Sequence, residues 1–397
     1  MADTPRVLII ADDLTGAMDA AGPFASKGLP TWVAALPEEC DPSRFAKATV
    51  VSVNSESRNV DPEEAVRRVE HAYRQVGGET FSIVVKKVDS TLRGNVIAEA
   101  RALAALARRD RLVCCPAFPA QGRVVRNGRV IVHGTPLEDT PFAKDALSPA
   151  LAVPLAEAFA AAGFVHASAM STREFAAADL DGPCAWVIDA ESDADLDAIA
   201  AVATTSGAAP MLVGSAGLTG ALARQLAIPG GHAEAPAVLG RIVYVVGSRS
   251  EVSRAQAALL VEEGARLLEA VNGRLRKEPV LSPGADVVLA AVPDPQGKEG
   301  DAQEVARMLA RHAMRLVGPG NAQAIVATGG DTAIAFLRSS GNPALAVGGE
   351  LVPGIAYARF MMGTRAAWLV TKAGGFGSAD TLSEIGKRLR AGAPVSA

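Results

Sequence analysis

Val7-Leu8-Ile9-Ile10-Ala11-Asp12-Asp13-Leu14-Thr15-Gly16-Ala17 is the stretch that decides the fold. An apolar run of this length, rich in β-branched residues, is too short for a helix and reads as a strand, Val7 to Ala11, buried on both faces. The acidic pair ends it, and a helical segment from Thr15 to Ala25 follows, which either aspartate can cap. The same grammar recurs downstream. Val50 to Val53 reads as a second strand. Asp61-Pro62-Glu63-Glu64 then opens a helix to about Gln75, with Asp61 as cap, Pro62 in the first turn and Glu64 at capping-box spacing. Phe81 to Val88 is a third strand, Val96 to Arg108 an Ala-rich helix, and Leu112 to Pro116 a fourth strand. Strands alternating with helices predict a parallel sheet of β-α-β units.

Such a sheet presents its carboxyl ends on one edge, where ligands bind. The segments after the four strands are 12–17, 54–58, 87–95 and 116–123, so that edge gathers carboxylates, hydroxyls and cations. Lys87, Asp89, Ser90, Thr91 and Arg93 share one strand-to-helix turn, where a helix N-terminus adds partial positive charge. A hydroxy acid needs a cation for its carboxylate, polar groups for its hydroxyls and a base near the attacking one, and the turn supplies all three. The plainer reading is that Asp89 or Ser90 caps the helix while Lys87 and Arg93 are solvated. Asp12 and Asp13 can bind hydroxyls, deprotonate one or hold Mg²⁺, or can simply cap. Arg58 suits bidentate carboxylate recognition, against the ordinary alternative of a surface arginine.

At 397 residues the chain exceeds one ordinary core; domains of roughly 100–200 residues make two the working number. After a less regular stretch (124–180), a strand at Met211 to Val213 and a helix after Gly214-Ser215-Ala216-Gly217 close the first half. Periodicity is then lost over 228–239. The expected layout is an acid-binding domain over 1–229, a linker over 230–239 and a nucleotide-binding domain over 240–397. Strands at Ile242 to Val246, Asp286 to Val292, Ala324 to Ala327 and Ala366 to Val370, with a helix over 302–316, make the second half α/β as well. Its strand ends carry three Gly/Ser turns: Gly247-Ser248-Arg249-Ser250, Gly329-Gly330-Asp331-Thr332, and Gly374-Gly375-Phe376-Gly377 with Lys372 upstream. Free amides in such turns can meet a phosphate chain. There is no G-x-x-x-x-G-K-[ST] and no G-x-G-x-x-G after the first strand, which counts against a P-loop enzyme and a standard dinucleotide fold.

Composition narrows the class further. With 49% hydrophobic and only 4% aromatic residues the chain reads as a globular α/β enzyme. A net charge of −4 with scattered Lys and Arg argues against nucleic acid. The start, Met-Ala-Asp-Thr-Pro-Arg, has no signal-peptide pattern and no uncharged run is long enough to span a bilayer, so the expected location is the cytoplasm. Cys40, Cys114, Cys115 and Cys184 lack C-x-x-C spacing and read as packing residues. The five histidines are too far apart for a zinc site.

In order along the chain, Ala11-Asp12-Asp13-Leu14-Thr15-Gly16-Ala17, Lys86 through Asn95, Pro116-Ala117-Phe118-Pro119, Gly214-Ser215-Ala216-Gly217-Leu218, Gly329-Gly330-Asp331-Thr332 and Lys372 through Gly377 resemble the four-carbon acid sugar kinase family. The resemblance implies two α/β domains with largely parallel sheets and an active-site cleft between them. It also implies ATP with Mg²⁺ as cofactor, and phosphorylation of the terminal hydroxyl of a tetronate: threonate, erythronate or a 3-oxo-tetronate, with a lean to D-threonate or D-erythronate. By the family's pattern Asp12, Asp13, Arg58, Lys87, Asp89, Ser90 and Arg93 look like acid contacts, with Asp13, Lys87 and Asp89 catalytic. Ser248, Ser250, Gly329, Gly330, Asp331, Thr332, Gly374 and Gly375 look like nucleotide contacts. Gly375 stands where some members carry Asn, and Asp331 where many carry Glu. No metal ligands follow from the resemblance, and a homodimer is left open. The competing readings are a hydroxy-acid dehydrogenase with an atypical nucleotide site and a non-catalytic sensor of sugar acid and nucleotide.

Overall fold

The computed structural model describes residues 5–145, 148–164, 167–177, 184–205, 210–228, 231, 236–248, 250–277, 284–297, 300–317 and 322–392. The chain divides into two compact units, Met1–Gly231 and His232–Ala397. Of the expected linker, residues 230 and 232–235 lie outside the described residues, as does Arg249 in the first Gly/Ser turn.

In chain order, the first unit contains β1 (Val7–Ala11), α1 (Leu14–Ser26), β2 (Thr31–Ala34), β3 (Val50–Asn54), α2 (Pro62–Gln75), β4 (Ile83–Lys87), α3 (Val96–Leu106) and β5 (Arg111–Cys115). An antiparallel three-stranded ribbon follows, of β6 (Arg123–Arg126), β7 (Arg129–Val132) and β8 (Thr135–Pro136). Then come α4 (Leu155–Ala161), β9 (Ala167–Met170), α5 (Thr172–Ala177), β10 (Cys184–Ile188), α6 (Asp193–Thr205), β11 (Met211–Gly214) and α7 (Ala216–Gln225). The main sheet runs β2-β3-β1-β4-β11-β5-β10-β9 with every pairing parallel. β1 is flanked by β3 on one side and β4 on the other, so the connections diverge there and leave a crevice beyond its carboxyl end. Register levels the strand ends: Ala11 pairs with Asn54 and with Lys87, and Gly214 pairs with Lys87 and with Cys115.

Helix starts are set by local chemistry. Asp61 accepts from Glu64 N (2.9 Å) with Pro62 at the first position of α2. The expected capping box is only half formed: the Glu64 carboxylate instead takes Arg67 Nε (2.9 Å) and Arg68 Nε (2.7 Å), one turn on. Asp13 caps α1, accepting from Gly16 N at 2.6 Å. Residues Leu14 to Ala25 of that helix are buried, including Asp19. β4 is shorter than expected because Gly78–Thr80 forms a 3₁₀ turn before it. The four cysteines are buried and form no disulfide among the described residues.

The second unit contains β12 (Arg241–Val246), α8 (Glu251–Glu262), β13 (Arg266–Val271), β14 (Arg274–Leu275), β15 (Val287–Val292), α9 (Ala302–Val317), β16 (Ala322–Thr328), α10 (Gly330–Ser340), β17 (Ala344–Val352), β18 (Ile355–Met362), β19 (Arg365–Lys372) and α11 (Thr381–Ala391). β13-β15-β12-β16-β19 are parallel, while β14 and the β18-β17 extension are antiparallel. Val246 pairs with Thr328 and Thr328 with Lys372, so the three Gly/Ser turns leave the sheet at one level. No helix among the described residues is long and apolar enough to cross a membrane.

Candidate functional site

In the first unit, the expected acid-binding residues converge on the crevice beyond β1. Arg58 makes a two-pronged pair with Asp12, Nε to Oδ2 and Nη2 to Oδ1 both at 2.8 Å, and reaches Asp13 Oδ2 through Nη1 at 2.5 Å. Asp13 also accepts from Thr15 Oγ1 at 2.9 Å. Arg58 is therefore a buried organiser of the acidic pair, not a solvated surface arginine. Burial pushes the Asp12 carboxyl up, but Arg58, Lys86 and Lys87 outweigh it and hold it below the usual range. Of Asp12, Asp13, Asp19 and Asp89, Asp13 is the most open, at 19% side-chain exposure against 4% for Asp12 and 10% each for Asp19 and Asp89; Asp145, 3.8 Å from Arg93, is more open still at 32%.

The turn after β4 is held at both ends. Lys86, wholly buried, pairs with Glu99 of α3 at 2.7 Å. Asn95 Nδ2 donates to Ser57 O (3.1 Å) and Val60 O (2.9 Å), tying the start of α3 to the segment after β3. Gly94, at φ 88°, lies against Arg58: a Cβ there would be 3.2 Å from Arg58 Cγ, so the turn needs a glycine at this close approach. Asp89 does not cap α3. It accepts from Thr91 Oγ1 (2.5 Å) and Arg93 Nε (2.6 Å). Burial raises the Asp89 carboxyl, yet Arg93, Arg58 and the Thr91 hydrogen bond together hold it far below the carboxylate range. A carboxyl so held is a weak proton acceptor, and these contacts tie it to Thr91 and Arg93.

Lys87 is buried, with Nζ 3.3 Å from Asp19 Oδ1. Burial disfavours its ammonium, but Asp19, Asp12 and Asp13 more than compensate and raise its pKa. Asp19 itself escaped the sequence reading: a lone acid in an Ala-rich helix carries no motif, and only the packing of α1 against β4 brings it to Lys87. The Ser90 hydroxyl is buried and has no hydrogen-bond partner among the described residues. Arg123, also almost wholly buried, is close enough to Asp89 and Arg93 to feel both charges. It lay in a segment placed at this edge from sequence but was not singled out.

In the second unit the three turns interlock. Ser250 caps α8 through Ser253 N (3.1 Å), and the hydroxyls of Ser250 and Ser253 both donate to Gly374 O at 2.8 Å. Ser248 Oγ lies 3.2 Å from Ser250 Oγ. A Cβ on Gly247 would fall 1.9 Å from Thr332 Oγ1, and one on Gly374 only 2.2 Å from Ser248 Oγ, so side chains are excluded where the loops touch. Gly329, at φ 96°, starts α10 with no side-chain cap, leaving amides of the Gly330 turn to a ligand; Asp331 sits exposed on that first turn. A Cβ on Gly375 would meet nothing within 4 Å. Lys372 is wholly buried, its Nζ donating to Ala373 O (2.8 Å), Gly374 O (3.3 Å) and Phe376 O (3.1 Å). Burial alone pulls this amine down to about 8. This cradle of glycines, hydroxyls, a helix start and one lysine fits a phosphate chain. Among the described residues no group of three or more His, Cys, Asp or Glu is arranged to hold a metal ion; His166 and His232 lie outside them.

Two family models divide the chain at the same level: a sugar-binding N-terminal domain matches residues 7–222, and a nucleotide-binding C-terminal domain matches residues 243–382. A D-threonate kinase of Bordetella bronchiseptica is 32% identical, over 97% of this chain and 98% of its own. A D-erythronate kinase of Heliobacterium modesticaldum is 31% identical, over 94% and 95%. In fold, the chain matches a Salmonella typhimurium LT2 structure described as a putative tRNA synthase, with a TM-score of 0.77 at 21% identity, covering 96% of this chain and 98% of that one. At that identity the match speaks for the fold alone. An acid-binding edge in one unit, a phosphate cradle in the other and kinase relatives spanning nearly the whole length together make this chain a sugar-acid kinase and a member of the four-carbon acid sugar kinase family.

Proposed function

We propose that the protein transfers the γ-phosphoryl group of ATP to the terminal, 4-hydroxyl of a four-carbon sugar acid, with D-threonate or D-erythronate as the acceptor. The observation that carries this reading is the buried Ser90 hydroxyl, which has no hydrogen-bond partner among the described residues and lies on the same turn after β4 that begins with Lys87. A buried hydroxyl without a partner is costly unless a ligand completes it. On this reading Lys87 and Ser90 receive the acid's carboxylate, and Arg93, fixed by Asp89, adds positive charge beside them. Asp13, more open than Asp12, Asp19 or Asp89, orients the attacking hydroxyl, and Arg58 with Asp12 holds Asp13 in place.

In the transfer, the hydroxyl oxygen forms a bond to the γ-phosphorus as the bridging bond to the β-phosphate breaks, and the hydroxyl proton passes to Asp13. Phosphoryl transfer depends mostly on positioning and charge neutralisation, so a modest base is enough. When bound, ATP supplies the phosphoryl group and Mg²⁺ neutralises its oxygens. The Ser248/Ser250, 329–332 and 374–375 turns hold the nucleotide by backbone amides and hydroxyls. D-threonate and D-erythronate kinases stand among the relatives beside 3-oxo-tetronate kinases, which supports a tetronate acceptor, and on this reading the reaction belongs to a cytoplasmic enzyme of carbohydrate metabolism.

The test is an ADP-release assay over the stereoisomeric threonates and erythronates and the 3-oxo-tetronates, with and without Mg²⁺, followed by ³¹P NMR of the product. Metal-dependent turnover with phosphate on the terminal carbon is expected. A folded preparation that turns over none of these acids, or that reduces or oxidises them with a nicotinamide nucleotide, overturns the proposal.

A further inference from the structure

Asp19 is a buried ionisable group beside Lys87 to which the phosphoryl transfer assigns no task. It sits within α1, buried on all sides, where an unmatched charge is expensive. Its charged neighbour is Lys87, Nζ to Oδ1 3.3 Å, and that oxygen takes no hydrogen bond of ordinary geometry among the described residues. The same ammonium would lie 3.0 Å from a Cβ placed on Gly16, so Lys87 lies over the first turn of α1, close to both Asp13 and Asp19.

Among the described residues, the elements packed on α1 offer Asp19 no other ion-pair partner, though Asp13 and Arg58 lie close enough to act on its charge. β1, β2 and β3 carry no ionisable side chain. On β4, Lys86 is committed to Glu99 at 2.7 Å. On α7, Arg224 pairs with Asp197 at 2.7 Å. Asp12 and Asp13 face Arg58. Of these cations, Lys87 is the one paired with Asp19, which is buried beside it without an ordinary hydrogen bond on the facing oxygen.

We propose that Asp19 is a positioning residue that gates Lys87: ionised, it neutralises the ammonium; protonated, it releases Lys87 to the sugar acid's carboxylate, so that acid binding takes up a proton at Asp19. This rests on the reading of Lys87 as the carboxylate's partner. Burial lifts the Asp19 carboxyl to about 7, with Lys87 offsetting part of the rise, so the exchange falls in the working pH range. The tetronate's own carboxylate, an ordinary carboxyl, stays ionised throughout that range.

The experiment measures KM and kcat for D-threonate and D-erythronate from pH 5.5 to 8.5 in the wild type, Asp19→Asn and Lys87→Met. It adds calorimetric binding of each acid at pH 8 in two buffers of different ionisation enthalpy. For the wild type, KM for the acid should rise by up to about tenfold per pH unit above 7 while kcat moves little, and calorimetry should register about one proton taken up. Asp19→Asn, unable to ionise, should flatten the KM profile and abolish the uptake. A wild type that binds acid at pH 8 without proton uptake overturns the gate without recourse to any variant. So does an Asn variant that keeps the wild-type KM profile. If Lys87→Met leaves KM for the acid unchanged, the assignment of Lys87 to the carboxylate fails instead, which separates the two readings.

Discussion

Neighbouring glycines in one turn should respond in opposite ways to the same methyl group. Neither Gly374 nor Gly375 has a positive φ, so an alanine fits either backbone and the difference is steric. On Gly374 the new Cβ would stand 2.2 Å from Ser248 Oγ and 2.8 Å from its Cβ, far inside contact distance. Ser248 can move aside only by giving up its hydroxyl contact with Ser250 Oγ (3.2 Å) and the hydrogen bond from Ser250 N (3.3 Å). At about 0.5–1.5 kcal/mol each, the loss is roughly 1–3 kcal/mol, the usual range for overpacking. In a domain of this size each kcal/mol lowers Tm by roughly 2–4 °C. On Gly375 the methyl meets nothing within 4 Å, so Gly375→Ala should leave the nucleotide-free protein as stable as wild type. It projects, however, into the space assigned to the phosphates, and should weaken ATP by roughly tenfold, about 1.4 kcal/mol. Calorimetric melting of the free proteins, followed by ATP titration, reads both effects. A Gly374→Ala protein that melts with the wild type, or a Gly375→Ala protein that is unstable yet binds ATP normally, would refute the placement of these loops.

Lys372 titrates near 8 in the fold against about 10.4 in an unfolded chain. The unfolded state therefore binds more protons between those values, and folding stability rises with pH across that window. Urea titrations should show wild type gaining about 3 kcal/mol relative to Lys372→Met between pH 8 and 10.5, and no relative gain below pH 8. Asp89 is depressed, so its contribution is present above about pH 4 and lost as pH falls. Asp89→Asn should cost stability at pH 7, a cost that begins to shrink only as pH falls below about 4, and should lower kinase activity without moving the pH profile of kcat; a shifted profile would make Asp89 the base. Arg58→Met leaves Asp12 buried and unpaired and should destabilise by roughly 3–5 kcal/mol. Asp12→Asn in the same protein should recover part of that loss in urea denaturation.

The first unit was legible in sequence where burial on both strand faces writes itself as a mainly apolar run: unbroken in β1, and in β3, β4 and β5 interrupted only by Ser52 or by polar residues at the strand ends. β2, only Thr31–Ala34, is too short to stand out from the chain around it. The ribbon of β6 to β8 and the β17-β18 hairpin mix exposed and buried positions and carry weaker periodicity. At the site, the residue types after β1, β3 and β4 were readable, because strand ends of a parallel sheet must share an edge. Their pairings were not. That Arg58 faces Asp12 and Asp13 and that Asp19 meets Lys87 depend on register between elements far apart in sequence, and that Arg93 holds Asp89 charged depends on the conformation of a turn that residue type alone does not fix. Lys372 was visible only as a neighbour of a glycine turn; its burial against three carbonyls is a tertiary fact.

The buried pair of Lys86 and Glu99 acts as a ruler on the polypeptide between them. One end is pinned in β4 and the other in α3, and a single added or deleted residue would pull one charge off the other inside the core, at a cost of roughly 3–5 kcal/mol. Lineages carrying this pair can alter acid preference along 87–95 by exchanging side chains, but not by lengthening or shortening the turn. Length variation is instead expected in connections free of such a pin, such as the tips of the β6–β8 ribbon, making that ribbon the natural place for new contacts to be grafted.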